Sequence, residues 1–326
     1  MHPLIGLAQL LGIGFGLYLI SLIIYTMWGL THPHRVTYAS ALARNLPGDP
    51  SELDTPIEFD ERTIQGTKGD LCLWEIKGKL PNGPRVIMTH GWGSSRQGGL
   101  KRIGSILEHT SSLILWDLPG HGDSGGHTHL GSSEHADLAR VLDSLGPDQP
   151  DQPGQPDMPT VLYGWSMGSG ISLAFAQQFA NEHPIAGIIC EAPYINPITP
   201  ARNVIRLRGI PYRLNLKPTM LMLGTLFGVG PSWRGFARDQ IAKEIDLPIL
   251  ILHGQADPVS PVEDAEQIAA AAPNAQLVVI EGAGHNNLWT DELYRQQMCD
   301  AMGQFFEKLA AQNPTQPLHS GSPAQP

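Results

Sequence analysis

The sequence predicts an α/β protein built on a mostly parallel, eight-stranded sheet with helices on both faces, preceded by one transmembrane helix. Three observations predict it. From Arg85 onward, runs rich in Val, Ile and Leu alternate with helix-forming runs, an order that parallel strands joined by crossover helices require. Residues 3 to 31 contain no charged side chain and no histidine. With 326 residues and 41% apolar content, the chain can bury one large core.

The stretch from Leu4 to Leu30 is mostly Leu, Ile, Gly, Phe and Tyr. As a helix at ~1.5 Å per residue it reaches roughly 40 Å, against a hydrocarbon core of about 30 Å. A cleaved signal peptide is the rival reading, and Ala39-Ser40-Ala41 has the small-residue character of a cleavage site. The apolar run is too long for one, lacks a preceding basic segment and ends well short of that site. Residues 1–31 are therefore assigned to an uncleaved single-pass anchor, with Tyr25 and Trp28 placed for the membrane interface. Arg35 and Arg44 follow the helix and no Lys or Arg precedes it. Positive-inside bias then leaves the rest of the chain on the cytoplasmic side.

A polar, Pro-containing linker is expected over residues 32–55, and a folded domain over 56–312. Within it, Ile57 to Gln65 and Leu71 to Lys77 read as an opening pair of strands, and Arg85 to His90 as a buried one by its β-branched content. A helix is predicted near Leu100 to His109, a strand at Ser112 to Asp117, a helix at Ser133 to Leu145, a strand at Thr160 to Gly164 and a helix at Met167 to Ala180. Strands at Ile185 to Glu191 and Ile249 to His253, a helix at Pro261 to Ala271, a strand at Gln276 to Glu281 and a helix from about Leu288 to Leu309 complete the series. The proline-rich residues 147–159 read as a solvent-exposed loop, and residues 313–326 as a disordered tail.

A net charge of -10 and a pI near 5.7 argue against a nucleic-acid partner, which calls for a basic face. Cys72, Cys190 and Cys299 are odd in number and widely spaced. That pattern supplies neither a disulfide framework nor a zinc site. His121, His127 and His129 lie in a glycine-rich loop without Cys or carboxylate companions at ligand spacing, so no metal and no cofactor is expected.

The chain contains two G-x-S-x-G matches, and with 36 glycines such a match has little weight alone. Gly122-Asp123-Ser124-Gly125-Gly126 also looks like a trypsin-type serine signature, but nothing around it supplies that antiparallel architecture or its His, Asp, Ser order. Gly164-Trp165-Ser166-Met167-Gly168 differs: a β-rich run, Thr160-Val-Leu-Tyr, leads into it and a helix-forming run follows. Asp257 then follows the strand Leu250-Ile-Leu-His-Gly, and His285 sits in Gly-Ala-Gly-His after the last strand. A serine hydroxyl is a poor nucleophile unless a histidine takes its proton and a carboxylate orients that histidine. Blander roles are open to each, since Asp257 could cap the helix near Pro261 and His285 could be a surface loop residue. Glu191, after the sixth strand, is a lesser rival for the acid.

Over about residues 56 to 310 these motifs resemble the α/β-hydrolase superfamily, in which strand, nucleophile and helix form a sharp elbow and the triad runs Ser, Asp, His. The resemblance implies Ser166 as nucleophile, Asp257 as the orienting acid and His285 as base. It further implies that His90-Gly91-Trp92-Gly93 is the oxyanion loop, with the backbone N–H groups of Trp92 and Met167 as donors. Many relatives insert a lid between the sixth and seventh strands, here about residues 195–240. That segment holds Arg202, Arg206, Arg208, Arg213, Lys217, Arg234 and Arg238 against Asp239 alone, around an apolar stripe from Thr219. Such a lid suits anionic headgroups or an amphipathic anionic substrate, and equally a plain solvated cover. The resulting expectation is a membrane-anchored serine hydrolase of lipid or lysophospholipid-like carboxylic esters, acting through an acyl-enzyme. Two alternatives stay open: a prolyl-aminopeptidase-like peptidase, whose relatives use acidic lid residues that are nearly absent here, and a non-catalytic membrane-tethered binding protein.

Overall fold

The computed structural model describes residues 2–145, 159–209 and 211–312. The proline-rich loop, apart from Pro159, and the C-terminal tail lie outside the described residues. Eight strands form one sheet: β1 (Phe59–Gln65), β2 (Asp70–Lys77), β3 (Arg85–Thr89), β4 (Ser112–Trp116), β5 (Thr160–Trp165), β6 (Ile185–Glu191), β7 (Ile249–Gly254) and β8 (Ala275–Ile280). Their order is β1-β2-β4-β3-β5-β6-β7-β8. The β1–β2 and β2–β4 pairs are antiparallel and every other pair is parallel. Helices are α1 (His2–Thr31), α2 (Tyr38–Leu42), α3 (Ile103–Leu107), α4 (His135–Ser144), α5 (Met167–Phe179), α6 (Ile198–Leu207), α7 (Leu216–Leu226), α8 (Arg238–Ala242), α9 (Val262–Ala271) and α10 (Glu292–Gln312).

The predicted alternation of elements is present. One boundary differs in kind: the helix expected near Leu100 starts as a 3-10 turn over Arg96–Arg102 and becomes α-helical only at Ile103. Two glycines, Gly98 and Gly99, weaken α propensity there.

Period-two alternation splits the core between the two faces of the sheet. Ile87, Ile114, Leu162, Ile188 and Ile251 pack with Phe175 of α5 and Ile268 of α9, while Val86, Met88, Tyr163, Ile189 and Leu250 pack with Ile103 of α3 and Phe305 of α10. The central strands β3, β5 and β7 are buried along their whole length, as parallel strands covered on both faces must be. Edge strand β1 instead presents Asp60, Glu61 and Arg62, with Arg62 paired to Glu75 across the β1–β2 ladder. Charges on an edge discourage pairing with another chain.

The first 55 residues, expected as an anchor and a polar linker, make contacts with the domain. Over Gly6–Thr31, α1 has the length and hydropathy of a membrane span, and Leu7, Leu10, Leu11, Phe15 and Leu17 lie exposed. Its carboxyl end is packed instead: Thr26, Leu30 and Thr31 are buried, and α1 lies along α7. The Asn215 side chain bonds the Thr26 hydroxyl at 2.5 Å and Thr219 Oγ1 donates to the Ile23 carbonyl at 3.4 Å. Within residues 32–55, Arg35 reaches the domain as well. Arg35 donates to the Gly122 and Ser124 carbonyls at 3.1 and 2.6 Å, which ties this arginine to the domain.

Candidate active site

The site is assembled at the carboxyl ends of β3, β5, β7 and β8. At the end of β5 the chain turns so sharply into α5 that Ser166 adopts φ 54°, ψ -116°. A non-glycine residue held there costs about 1–3 kcal/mol, which the surroundings must supply. They do so through hydrogen bonds: Ser166 N and Ser169 Oγ both donate to the Glu191 carbonyl, at 2.7 and 2.9 Å. The flanking glycines are required sterically. A Cβ on Gly164 would lie 2.3 Å from the Gly168 backbone, and one on Gly168 would lie 2.0 Å from the Thr89 carbonyl oxygen.

The structure brings Ser166, Asp257 and His285 together across gaps of 91 and 28 residues. The Asp257 side chain is fully buried, and its Oδ1 accepts from the Val259 and Ser260 amides at 2.7 and 2.9 Å. It thus caps the turn before α9 and still has a second oxygen free for His285. That oxygen, Oδ2, lies 2.6 Å from His285 Nδ1. An ionised carboxylate only accepts, so Nδ1 carries the proton. In the neutral imidazole Nε2 is then the acceptor, and it faces Ser166 Oγ at 3.2 Å, hydrogen-bond reach for a general base. The His285 loop is held by Asn287, whose Oδ1 accepts from the Gly284 amide at 2.7 Å.

The loop after β3 abuts the serine. A Cβ on Gly91 would sit 3.1 Å from Ser166 Cβ. Trp92 follows it, and Met167 is the first residue of α5. Among the described residues neither amide donates to a backbone carbonyl.

Ser124 has a different role. It is fully buried, donates to the Asp117 carbonyl at 2.7 Å and accepts from the Cys72 amide at 2.9 Å, tying the β4 loop to β2. Glu191 is likewise committed elsewhere: its carboxylate takes Arg102 Nη2 and Nε at 2.5 and 2.9 Å, Trp289 Nε1 at 2.9 Å and the Tyr163 hydroxyl. Burial works to raise its pKa, but the Arg102 charge and these bonds outweigh that and hold it below the ordinary carboxylate value. Arg102, Tyr163 and Trp289 are supporting residues that no motif pointed to. His253, four residues before Asp257, also approaches its Oδ2, at 3.6 Å, while its Nε2 donates to the Ser260 carbonyl at 3.0 Å.

His121 packs against His90, His127 against His32 and His129, and His129 also against Phe227. Burial pushes the His121 pKa from 6.5 down to about 4. An unfolded chain therefore binds more protons than the fold between those values, and stability is lost as pH falls from about 6.5 to about 4. Between pH 7.5 and 5 this amounts to about 2 kcal/mol. Asp117, pushed up to about 6 by burial, acts in the opposite direction, since its neutral form favours the fold. Comparing His121→Gln with wild type cancels that opposing contribution. The variant is expected to lose about 4–8 °C less in Tm than wild type between pH 7.5 and 5; equal losses would show that His121 is not held neutral.

Between β6 and β7 the chain forms α6, α7 and α8. Arg202, Arg206, Arg208, Arg213, Lys217 and Arg234 are exposed, beside exposed Leu207, Leu214, Leu221, Met222 and Leu226. Arg238 is not part of that face: it is buried, donates to the Gly131 carbonyl at 2.7 Å and stacks 3.7 Å from the Phe236 ring centre.

Known proteins share this architecture. Pyrococcus furiosus esterase Pf2001 superposes with a TM-score of 0.63 at 21% identity, covering 86% of this chain and 98% of the esterase. Human Protein ABHD12B is 24% identical over 217 residues, 65% of this chain and 56% of the relative. The rat lysophosphatidylserine lipase ABHD12 is 27% identical over 202 residues, 60% of this chain and 47% of the relative. The chain spans about half the length of these curated relatives. The profile of the alpha/beta hydrolase family matches residues 86–300, well over half of the sequence, and the chain belongs to that family.

Proposed function

We propose that this protein is a serine hydrolase of carboxylic esters, with lipid or lysophospholipid-like substrates, held at a membrane by α1. The observation that carries this reading is the line from Asp257 Oδ2 through His285 to Ser166 Oγ, at 2.6 and 3.2 Å. His285 removes the Ser166 proton as Oγ attacks the acyl carbonyl, and Asp257 stabilises the imidazolium that forms. The Trp92 and Met167 amides take the oxyanion. His285 then protonates the leaving alcohol, and water, activated by the same histidine, hydrolyses the acyl-enzyme. The lipid assignment draws support from the lysophosphatidylserine lipase among the relatives and from the exposed basic and apolar side chains of residues 198–234. Burial of the α1 carboxyl end supports an uncleaved anchor, because cleavage near Ala41 would strip Leu30 and Thr31 from the folded domain. As domain limits we retain 1–31 for the anchor and 56–312 for the hydrolase, with residues 195–240 as its lid.

Fluorophosphonate labelling of wild type and Ser166→Ala tests the chemistry, and p-nitrophenyl esters of graded length with lysophospholipids test the substrate class. Labelling confined to wild type, with turnover rising toward long acyl chains, is the expected result. A chain-length optimum at acetate would overturn the lipid assignment, and folded wild type that neither labels nor turns over any ester would overturn the enzyme.

A further inference from the structure

The last turn of an α-helix leaves carbonyl oxygens without intrahelical partners, and a buried helix end must find donors for them. At the end of α1 two such oxygens are taken by the hydrolase domain. Thr128 N donates to the Thr31 carbonyl at 3.1 Å, and the indole Nε1–H of Trp92 donates to the Leu30 carbonyl at 2.9 Å. Trp92 is thus fixed by its side chain to α1, while Gly91, the residue before it, abuts Ser166.

The loop has other supports: the Trp92 ring packs against the core, and the Gly91 carbonyl accepts from His90 Nδ1 at 2.8 Å. Trp92 lies between Gly91 and Gly93, and Gly93 sits at φ +70°, a conformation that glycine adopts without strain. The Arg208 guanidinium lies 5.2 Å from the Trp92 ring centre, and a turn bond from Ser94 N to the Gly91 carbonyl at 3.2 Å closes the loop. The end of α1 is in turn located by the Thr26–Asn215 bond to α7. Helix α1, helix α7 and the loop after β3 form one connected unit.

We propose that the carboxyl end of α1 is a working part of the active site: by accepting the Trp92 indole N–H on the Leu30 carbonyl, it positions the Trp92 amide toward the oxyanion. Trp92's side chain and Thr26 are then positioning residues. The proposal rests on the reading of the Trp92 amide as an oxyanion donor. Its consequence is that α1 governs the rate of chemistry as well as the location of the enzyme.

The test uses the full chain in detergent micelles, with p-nitrophenyl butyrate turnover and the second-order rate of fluorophosphonate capture as readouts. Trp92→Phe keeps an aromatic ring but loses the donor, and Thr26→Val loosens α1 from α7. Complete loss of an oxyanion donor costs about 10²–10³ in kcat, so misplacing one is expected to lower kcat and capture ~10-fold in Trp92→Phe, with KM within about two-fold of wild type. Thr26→Val is expected to lower kcat ~3-fold, and the double variant to match Trp92→Phe alone, because both act through the same contact. Unchanged kcat in folded Trp92→Phe, or effects that simply multiply in the double variant, would overturn the proposal. Should Trp92→Phe fail to fold, Thr26→Val decides: a kcat loss without a KM change upholds the coupling, and wild-type kcat overturns it. Failure of the enzyme reading is distinguishable, since wild type itself would then neither label nor turn over.

Discussion

Asp257→Asn is expected to lower kcat by about four orders of magnitude while leaving the fold in place. The reason lies in the two oxygens of Asp257. Oδ1 serves the Val259 and Ser260 amides, and an asparagine carbonyl can keep both bonds. The amide nitrogen then replaces Oδ2 and presents N–H to His285 Nδ1, where a carboxylate presented an acceptor. The histidine proton must move to Nε2, so that a donor, not a lone pair, faces Ser166 Oγ. An imidazole in that tautomer cannot take the serine proton. Tm is expected to stay within a few degrees of wild type, and KM to change little. Asp257→Ala, which also strips the turn before α9 of its two bonds, is expected to lose stability as well. Ser166→Ala sets the floor, about 10⁶ below wild type. A kcat for folded Asp257→Asn within about ten-fold of wild type would remove Asp257 from the role of orienting acid.

Glu191→Ala is expected to produce the largest loss of stability. The Glu191 carboxylate and the Arg102 guanidinium are both nearly inaccessible, and Arg102 also stacks 4.0 Å from the Trp165 ring centre. Removing one partner leaves a buried charge uncompensated, at a cost of about 3–5 kcal/mol, and the Trp289 and Tyr163 donors lose their acceptor too. For a domain of this size that corresponds to a fall in Tm of roughly 10 °C or more. Because the folded-state pKa of Glu191 is depressed, the stability it contributes is present above the ordinary carboxylate value. It is lost as pH falls through the lower folded value. Replacing the pair together, as Glu191→Leu with Arg102→Met, is expected to recover much of the loss, because well-packed apolar residues often substitute for a buried pair. If Glu191→Ala melts within about 2 °C of wild type, the network does not hold this face of the site together.

The two positions differ in how legible they were. Asp257 and His285 stand at strand ends in a recognisable order, and Ser166 sits between a β-rich and a helix-forming run, so chain order matched to the family's motif nominated them. Glu191 also ends a strand and drew attention as a rival acid. Only its neighbours assign it, because Arg102 and Trp289 lie 89 and 98 residues away and no periodicity links them. Arg238 was counted with the basic surface for the same reason: a one-dimensional charge tally cannot see which arginines point inward.

What the sequence by itself determined is the order of elements, the parallel sheet, the burial of its central strands and the apolar N-terminal helix. These follow from local patterning, period two in strands and a long uncharged run in α1, which neighbours in sequence suffice to encode. Tertiary structure alone decided where the helix ends up and what the loop after β3 holds. The bond from Trp92 to the Leu30 carbonyl spans 62 residues. It exists because a buried helix terminus must satisfy its carbonyls with whatever donors the fold brings near.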